Sequence, residues 1–366
     1  MKKTKSYEKT HRKTSSQGAK TISSKPKTAG KTQKKASPKP KSREERLKRK
    51  RKTALTHVKK YYDIGVLKSG GRTGSYWASQ MLIPYFKEFR KGALRLPEGY
   101  KYWDHAWLME KFALKGWEFG NWLSQEDRMN YVCATGIALF DLKNLLKFSY
   151  IDLGQRGKLG ITLGSRGQGG KAMAFFSTGE WIINMTRYRS YGNAGKFLRL
   201  PVPQNRKLQN FLYTGGVGAF GHEYGHALDY WIGGYFDRSR NSFSLSGGSS
   251  ISRTIDIALS KQKSPRGAME KLIQMLIWDD YDKKILTAYY HELYNATSGE
   301  YWIRRNELFA RAFEQWISYE MKRKKQVNSF LHFNKYGGPA YMDDALLKKI
   351  APQMEKLLVE IRKVIR

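Results

Sequence analysis

Apolar positions along the chain recur mostly at helical spacing, with few short compact runs of the kind that make strands. Residues 103–123 are rich in aromatics and place Trp107, Leu108, Phe112 and Leu114 at helical intervals, and a second helical pattern covers 129–146. Residues 159–170 form a glycine-rich stretch that resembles a phosphate loop only loosely, because it lacks the Gly-Lys-Ser or Gly-Lys-Thr ending. Two apolar runs follow, 172–176 and 181–185, joined by Ser177-Thr178-Gly179-Glu180, and they predict a hairpin. Residues 187–212 read as loop. A helix is expected after the glycines of 214–221, ending at Gly233 and Gly234, with a Ser-Gly loop over 239–253. Residues 268–278 and 283–293 look helical. In 301–316, Leu308, Ala312 and Trp316 share one side of a helix while Glu307, Arg311 and Glu314 share the other, which must face something worth desolvating. Residues 344–365 give an amphipathic helix expected to break near Pro352.

Charge sets one end apart. Of 68 Lys and Arg, 23 lie within residues 1–60 against only Glu8, Glu44 and Glu45, and the remainder stays basic. Residues 1–54 hold too few packing groups to offset the entropy of ordering and are expected to be a disordered basic arm. The run Arg46 to Lys52 suits a nucleic-acid contact made through counterion release. Cys133 is the only cysteine, so no internal disulfide forms and no thiolate cluster holds a metal. No secretory signal and no membrane-spanning run is legible, so a cytoplasmic location in the host cell, or association with a virion, is expected.

The chemistry concentrates in His222-Glu223-Tyr224-Gly225-His226-Ala227-Leu228-Asp229. Side chains four apart on a helix stand on one face, so His222 and His226 can aim two imidazoles at one zinc ion, with Glu223 able to take a proton from a metal-bound water. Gly225 leaves room for a close neighbour, and Asp229 falls on the ligand face, where it could orient an imidazole. Catalytic zinc usually has three protein ligands. A metzincin histidine is excluded because position 232 is Ile232, which leaves a later carboxylate from among Glu292, Glu300, Glu307 and Glu314. His332, near the Tyr336-Gly337-Gly338-Pro339 turn, is a further group able to reach an oxyanion.

The segments Gly116-Trp117-Glu118-Phe119-Gly120-Asn121-Trp122, residues 164–170, Ile182-Ile183-Asn184-Met185-Thr186-Arg187, the His222 motif and Glu307-Leu308-Phe309-Ala310-Arg311-Ala312-Phe313-Glu314 come in an order that resembles the first type of large polyvalent protein-associated domain of phages and mobile elements. They also look like the catalytic domain of lethal-factor-type gluzincins. The resemblance spans roughly residues 100–365. It implies an α+β zincin-like metallopeptidase fold, mostly helical with a small sheet, over residues 55–366. It further implies zinc held by His222, His226 and Glu307, Glu223 as general base, and Tyr301 as an oxyanion donor. Arg311 and Glu314 are expected to form a supporting ion pair. The resulting expectation is a zinc-dependent endopeptidase acting on a protein or peptide substrate, with no membrane partner. The alternative is a nucleic-acid-associated or virion structural protein that keeps the fold as a binding module.

Overall fold

The computed structural model describes residues 89–120, 125–165, 174–185, 218–237, 243–296, 299–333 and 336–366, all within the unit Lys50–Arg366. The expected basic arm at 1–54, the loop at 187–212 and most of the glycine-rich segments 166–170 and 214–217 lie outside the described residues.

The chain opens with β1 (Arg90–Lys91), α1 (His105–Lys111), β2 (Gly116–Phe119), α2 (Gln125–Leu146), α3 (Tyr150–Leu153) and β3 (Gly160–Leu163). The hairpin strands β4 (Ala174–Ser177) and β5 (Ile182–Met185) lead to α4 (Phe220–Tyr235). Then come α5 (Ile257–Ser260), α6 (Pro265–Ile277), the short ribbon β6 (Trp278–Asp280) and β7 (Ile285–Leu286), and α7 (Ala288–Ala296). A 3-10 turn at Glu300–Ile303 precedes α8 (Arg305–Arg323), β8 (Val327–Asn328) and α9 (Asp344–Ile365). The fold is mixed α and β, dominated by helix, as its spacing implied.

The main sheet has the order β2-β3-β5-β4, with β2, β3 and β5 parallel and β4 antiparallel at the edge. The expected hairpin is β4–β5, paired from Ala174 with Met185 to Ser177 with Ile182. Two elements differ from the helical reading. The apolar stretch 103–123 divides, because Ala113 takes a left-handed backbone (φ 46°) that stops the helix and Gly116–Phe119 enters the sheet fully buried. Gly160–Leu163, read as part of a glycine-rich stretch, is instead a buried central strand whose alternation of Ile161 and Leu163 is too short for periodicity to assign.

Helix α4 runs to Tyr235 through Gly233 rather than ending there. A Cβ on Gly233 would lie 2.4 Å from the Ser244 carbonyl carbon, so this glycine admits a neighbouring chain. Helix α9 passes Pro352 unbroken, since Leu347, Ile350, Met354, Leu357 and Ile361 form one buried stripe that outweighs the missing backbone bond. A buried ion pair, Arg90 Nε to Asp141 Oδ2 at 3.0 Å, fastens β1 to α2, and Asn328 Nδ2 donates to the same carboxylate at 2.9 Å.

Helices α4 and α8 form the central contact of the core. An added Cβ at Gly225 would stand 3.1 Å from Phe313 Cδ1 and 3.3 Å from Ala310 Cα, which shows how closely the two backbones approach. Gly225→Val is therefore expected to lower stability by about 1–3 kcal/mol, read as a lower urea midpoint; an unchanged midpoint would contradict this packing.

His332 is fully buried and cannot reach a cleft. Its Nε2 accepts from the Asn328 N–H at 3.3 Å while Nδ1 donates to the Phe333 carbonyl at 2.8 Å, so its partners require the neutral ring. Burial lowers its pKa from 6.5 to about 4. The unfolded chain thus binds the extra proton between those values, and stability falls as pH drops from about 6.5 towards 4. His332 alone is expected to contribute roughly 3 kcal/mol to that loss. Urea titrations at pH 7 and pH 4.5 should show a steeper loss in wild type than in His332→Gln; parallel losses would contradict the assignment.

Candidate metal centre

Helix α4 is buried on nearly every side, so its polar side chains face protein and must be satisfied there. His222 and His226, one turn apart, stand with ring centroids 4.9 Å apart and planes at 81°. Helix α8 brings Glu307 between them. Its Oε2 lies 3.5 Å from His222 Nε2 and its Oε1 lies 3.3 Å from His226 Nε2. Among the described residues these three are the His, Cys, Asp and Glu cluster able to hold a metal ion, with ligand atoms all within 4.8 Å of one another.

The spacing fits zinc. Bonds of 2.0–2.2 Å to nitrogen and oxygen in a tetrahedron put neighbouring ligand atoms about 3.3–3.5 Å apart, the distance at which each imidazole meets one oxygen of Glu307. The chemistry fits as well, since two imidazoles and one carboxylate are borderline ligands that leave a fourth position open. Without an ion the three side chains serve one another. Burial would lower the His222 pKa, but contact with Glu307 and Glu314 outweighs it and lifts the ring to about 10. Burial likewise opposes ionisation of Glu307, yet the two imidazoles hold its carboxyl well below the usual carboxylate range.

Glu223 sits beside the cluster and is buried, which pushes its pKa up against the opposing pull of His222 and His226. Its carboxylate accepts from the backbone N–H of Phe176 on the edge strand β4. This backbone donor is absent from any side-chain pattern; the hairpin next to the motif was its only trace in the sequence. Tyr301, on the 3-10 turn, is half exposed and places its hydroxyl in contact with the Glu307 carboxylate. Burial and the negative charge of Glu307 hold its pKa above the ordinary tyrosine value. Glu292 and Glu300, the other carboxylates weighed from the sequence, are exposed.

The groups behind the ligands differ from expectation. Arg311 does not pair with Glu314. Its guanidinium lies 3.5 Å from Glu307 Oε2 and donates to the Trp302 carbonyl, one turn from Glu307 on the same helix face. Glu314 is fully buried, with Oε2 3.6 Å from His222 Nδ1. Tyr336 donates to Glu314 Oε1 at 3.0 Å, and the Tyr341 hydroxyl stands 3.5 Å from Oε2. Both tyrosines arrive from the segment between α8 and α9, too far along the chain for spacing to reveal.

Asp229 is buried, and its carboxylate is occupied by Ser246, whose N–H and hydroxyl donate at 2.9 and 2.6 Å. The loop so anchored presents the Gly248 and Ser250 carbonyls to the Asn306 and Arg305 N–H groups at 3.0 and 2.9 Å. These are the first N–H groups of α8, which lacks a side-chain cap. Asp229 thereby fixes the start of the helix that carries Glu307, rather than touching an imidazole.

Among the described residues no helix is long and apolar enough to cross a membrane. Neither the curated proteins nor the solved structures contain a match to this chain. Residues 293–364, which include Glu307, Glu314, Tyr336 and Tyr341, match the family model of large polyvalent protein-associated domain 1.

Proposed function

We propose that the chain is a zinc-dependent endopeptidase of the gluzincin kind, encoded by a phage or other mobile element. The observation that supports it most is the convergence of His222, His226 and Glu307, with ligand atoms all within 4.8 Å of one another and a buried Glu223 carboxylate alongside. When bound there, zinc would polarise the scissile carbonyl and lower the pKa of its water.

The chain's own residues supply the rest. His222, His226 and Glu307 would be the ligands, and Glu223 takes the proton of the attacking water and delivers it to the leaving nitrogen. Its raised pKa suits both duties, because a carboxyl that ionises reluctantly gives its proton back readily. Among the described residues β4 is the edge strand of the sheet, with β5 as its strand partner, and it contacts α4, so an extended peptide can pair along its other edge next to Glu223. Tyr301 supplies a neutral hydroxyl to the developing oxyanion, its elevated pKa keeping the proton in place. The Glu314 carboxylate stands 3.6 Å from His222 Nδ1 and the Arg311 guanidinium 3.5 Å from Glu307, so both ligands are oriented from behind. The alternative, a binding module without catalysis, has no use for a buried carboxylate at position 223.

Glu223→Gln is expected to keep about one zinc per chain while slowing cleavage of an unstructured protein by about 10²–10⁴-fold; cleavage at the wild-type rate would defeat the peptidase reading. Glu307→Ala should lose stoichiometric zinc under the same dialysis. Glu314→Gln and Asp229→Asn, neither of which replaces a candidate ligand, are each expected to weaken zinc about 10–100-fold in chelator competition at unchanged helical content. Wild-type affinity in both would show that these carboxylates do not position the ligands.

A further inference from the structure

Apart from the metal centre, α5, α6 and α9 enclose a groove of about 760 Å³ whose walls carry charge of mostly one sign. Lys261, Lys263 and Lys271 line one side, and Lys356 and Lys363 line the other. Two acids share the groove, Asp282 and Glu360, and Glu360 already pairs with Lys363 at 2.7 Å. Among the described residues no carboxylate lies within ion-pairing distance of Lys261, Lys263 or Lys356. Lys271 donates to an amide, Gln274 Oε1, at 2.9 Å.

The lysines are set on a rigid frame. Gly267 brings the first turn of α6 against the turn that bears Lys261 and Lys263; an added Cβ there would stand 2.4 Å from the Gln262 carbonyl oxygen. Gln353 on α9 donates to the Ala268 carbonyl at 2.9 Å, which ties the two walls together at the floor. Lys356 and Lys363, seven residues apart, share one face of α9 about 10 Å apart along its axis.

We infer that this groove binds the phosphate backbone of double-stranded nucleic acid, independently of base sequence. Three features select that occupant. The surface is concave with lysines on both walls, so the phosphate ridge of a duplex can lie along it where a flat bilayer cannot reach both. Its lining contains no aromatic ring, which removes the stacking platform that single strands use. It contains no arginine either, so the cations are point charges that neutralise phosphate rather than forks that read base edges. The inference stands apart from the peptidase reading, since the metal ligands take no part in it.

The test measures affinity of the full-length chain for a random-sequence 30-base-pair DNA duplex over a range of salt concentrations. Wild type is compared with Lys261→Gln/Lys263→Gln/Lys356→Gln and with a control, Lys91→Gln/Lys101→Gln/Lys322→Gln, that removes equal charge from exposed positions elsewhere. Residues 1–60 are identical in all three proteins, so their contribution cancels. The groove variant should bind more weakly, with the slope of log affinity against log salt shallower by about 2–3, as three phosphate contacts are lost. The control should keep the wild-type slope, and both variants should melt like wild type. An unchanged slope in the groove variant, or an equal change in the control, would overturn the inference. So would a groove variant that loses binding to phosphatidylserine vesicles or polyglutamate while its DNA affinity is unchanged.

Discussion

The close approach of α4 and α8 is the constraint on which the site depends. Gly225 lies between His222 and His226, and its missing side chain lets the α8 backbone near Ala310 and Phe313 settle against the turn that carries both imidazoles. Only at that separation does a carboxylate at position 307 reach Nε2 of each ring. Core packing and the proposed metal site thus rest on one contact, because a bulkier residue at 225 would displace a candidate ligand as well as a core contact.

Around this contact the chain surrounds each ligand with a fixed environment. Asp229, one turn beyond His226, ties down the Ser246 loop, and the next carbonyls of that loop receive the first N–H groups of α8. Helix α4 therefore sets where the helix bearing Glu307 begins. Behind His222, Glu314 is fully buried and held by Tyr336, a costly placement for a carboxylate unless it answers a cation or an oriented N–H donor. Both arrangements spend folding stability on the geometry of one small volume, which is the usual balance at a functional site.

What the sequence revealed follows from how far each signal travels. The pairing of His222 with His226 is local, four residues on one helix, and was legible outright. The choice of Glu307 over Glu292, Glu300 and Glu314 needed the resemblance, because residue spacing treats four carboxylates on later segments alike. The strand at Gly160–Leu163 was hidden because Leu159, Ile161 and Leu163 alternate over too few residues to stand out beside the glycines that follow, and its identity comes from pairing with β2 and β5 on either side. Pro352 misled in the opposite direction: a local rule forecast a break, and the buried stripe of α9 overrode it. Arg311 and Glu314 were placed correctly on the polar face of α8 but given each other as partners. Glu307, the partner of Arg311, lies one turn back on the same helix and was within reach of the spacing rule, whereas Tyr336, the partner of Glu314, comes from a later segment that helical spacing does not contain.

The central claim concerns ligands, and the most direct measurement is zinc K-edge X-ray absorption on the full-length protein loaded with one equivalent of the metal. Two imidazole nitrogens and one carboxylate oxygen, with a further light atom from solvent, are expected at about 2.0–2.2 Å. The outer-shell imidazole signal should drop by half in His226→Ala, and Glu307→Ala should lose its carboxylate oxygen. A zinc environment without imidazole scattering, or one indifferent to both substitutions, would contradict the account.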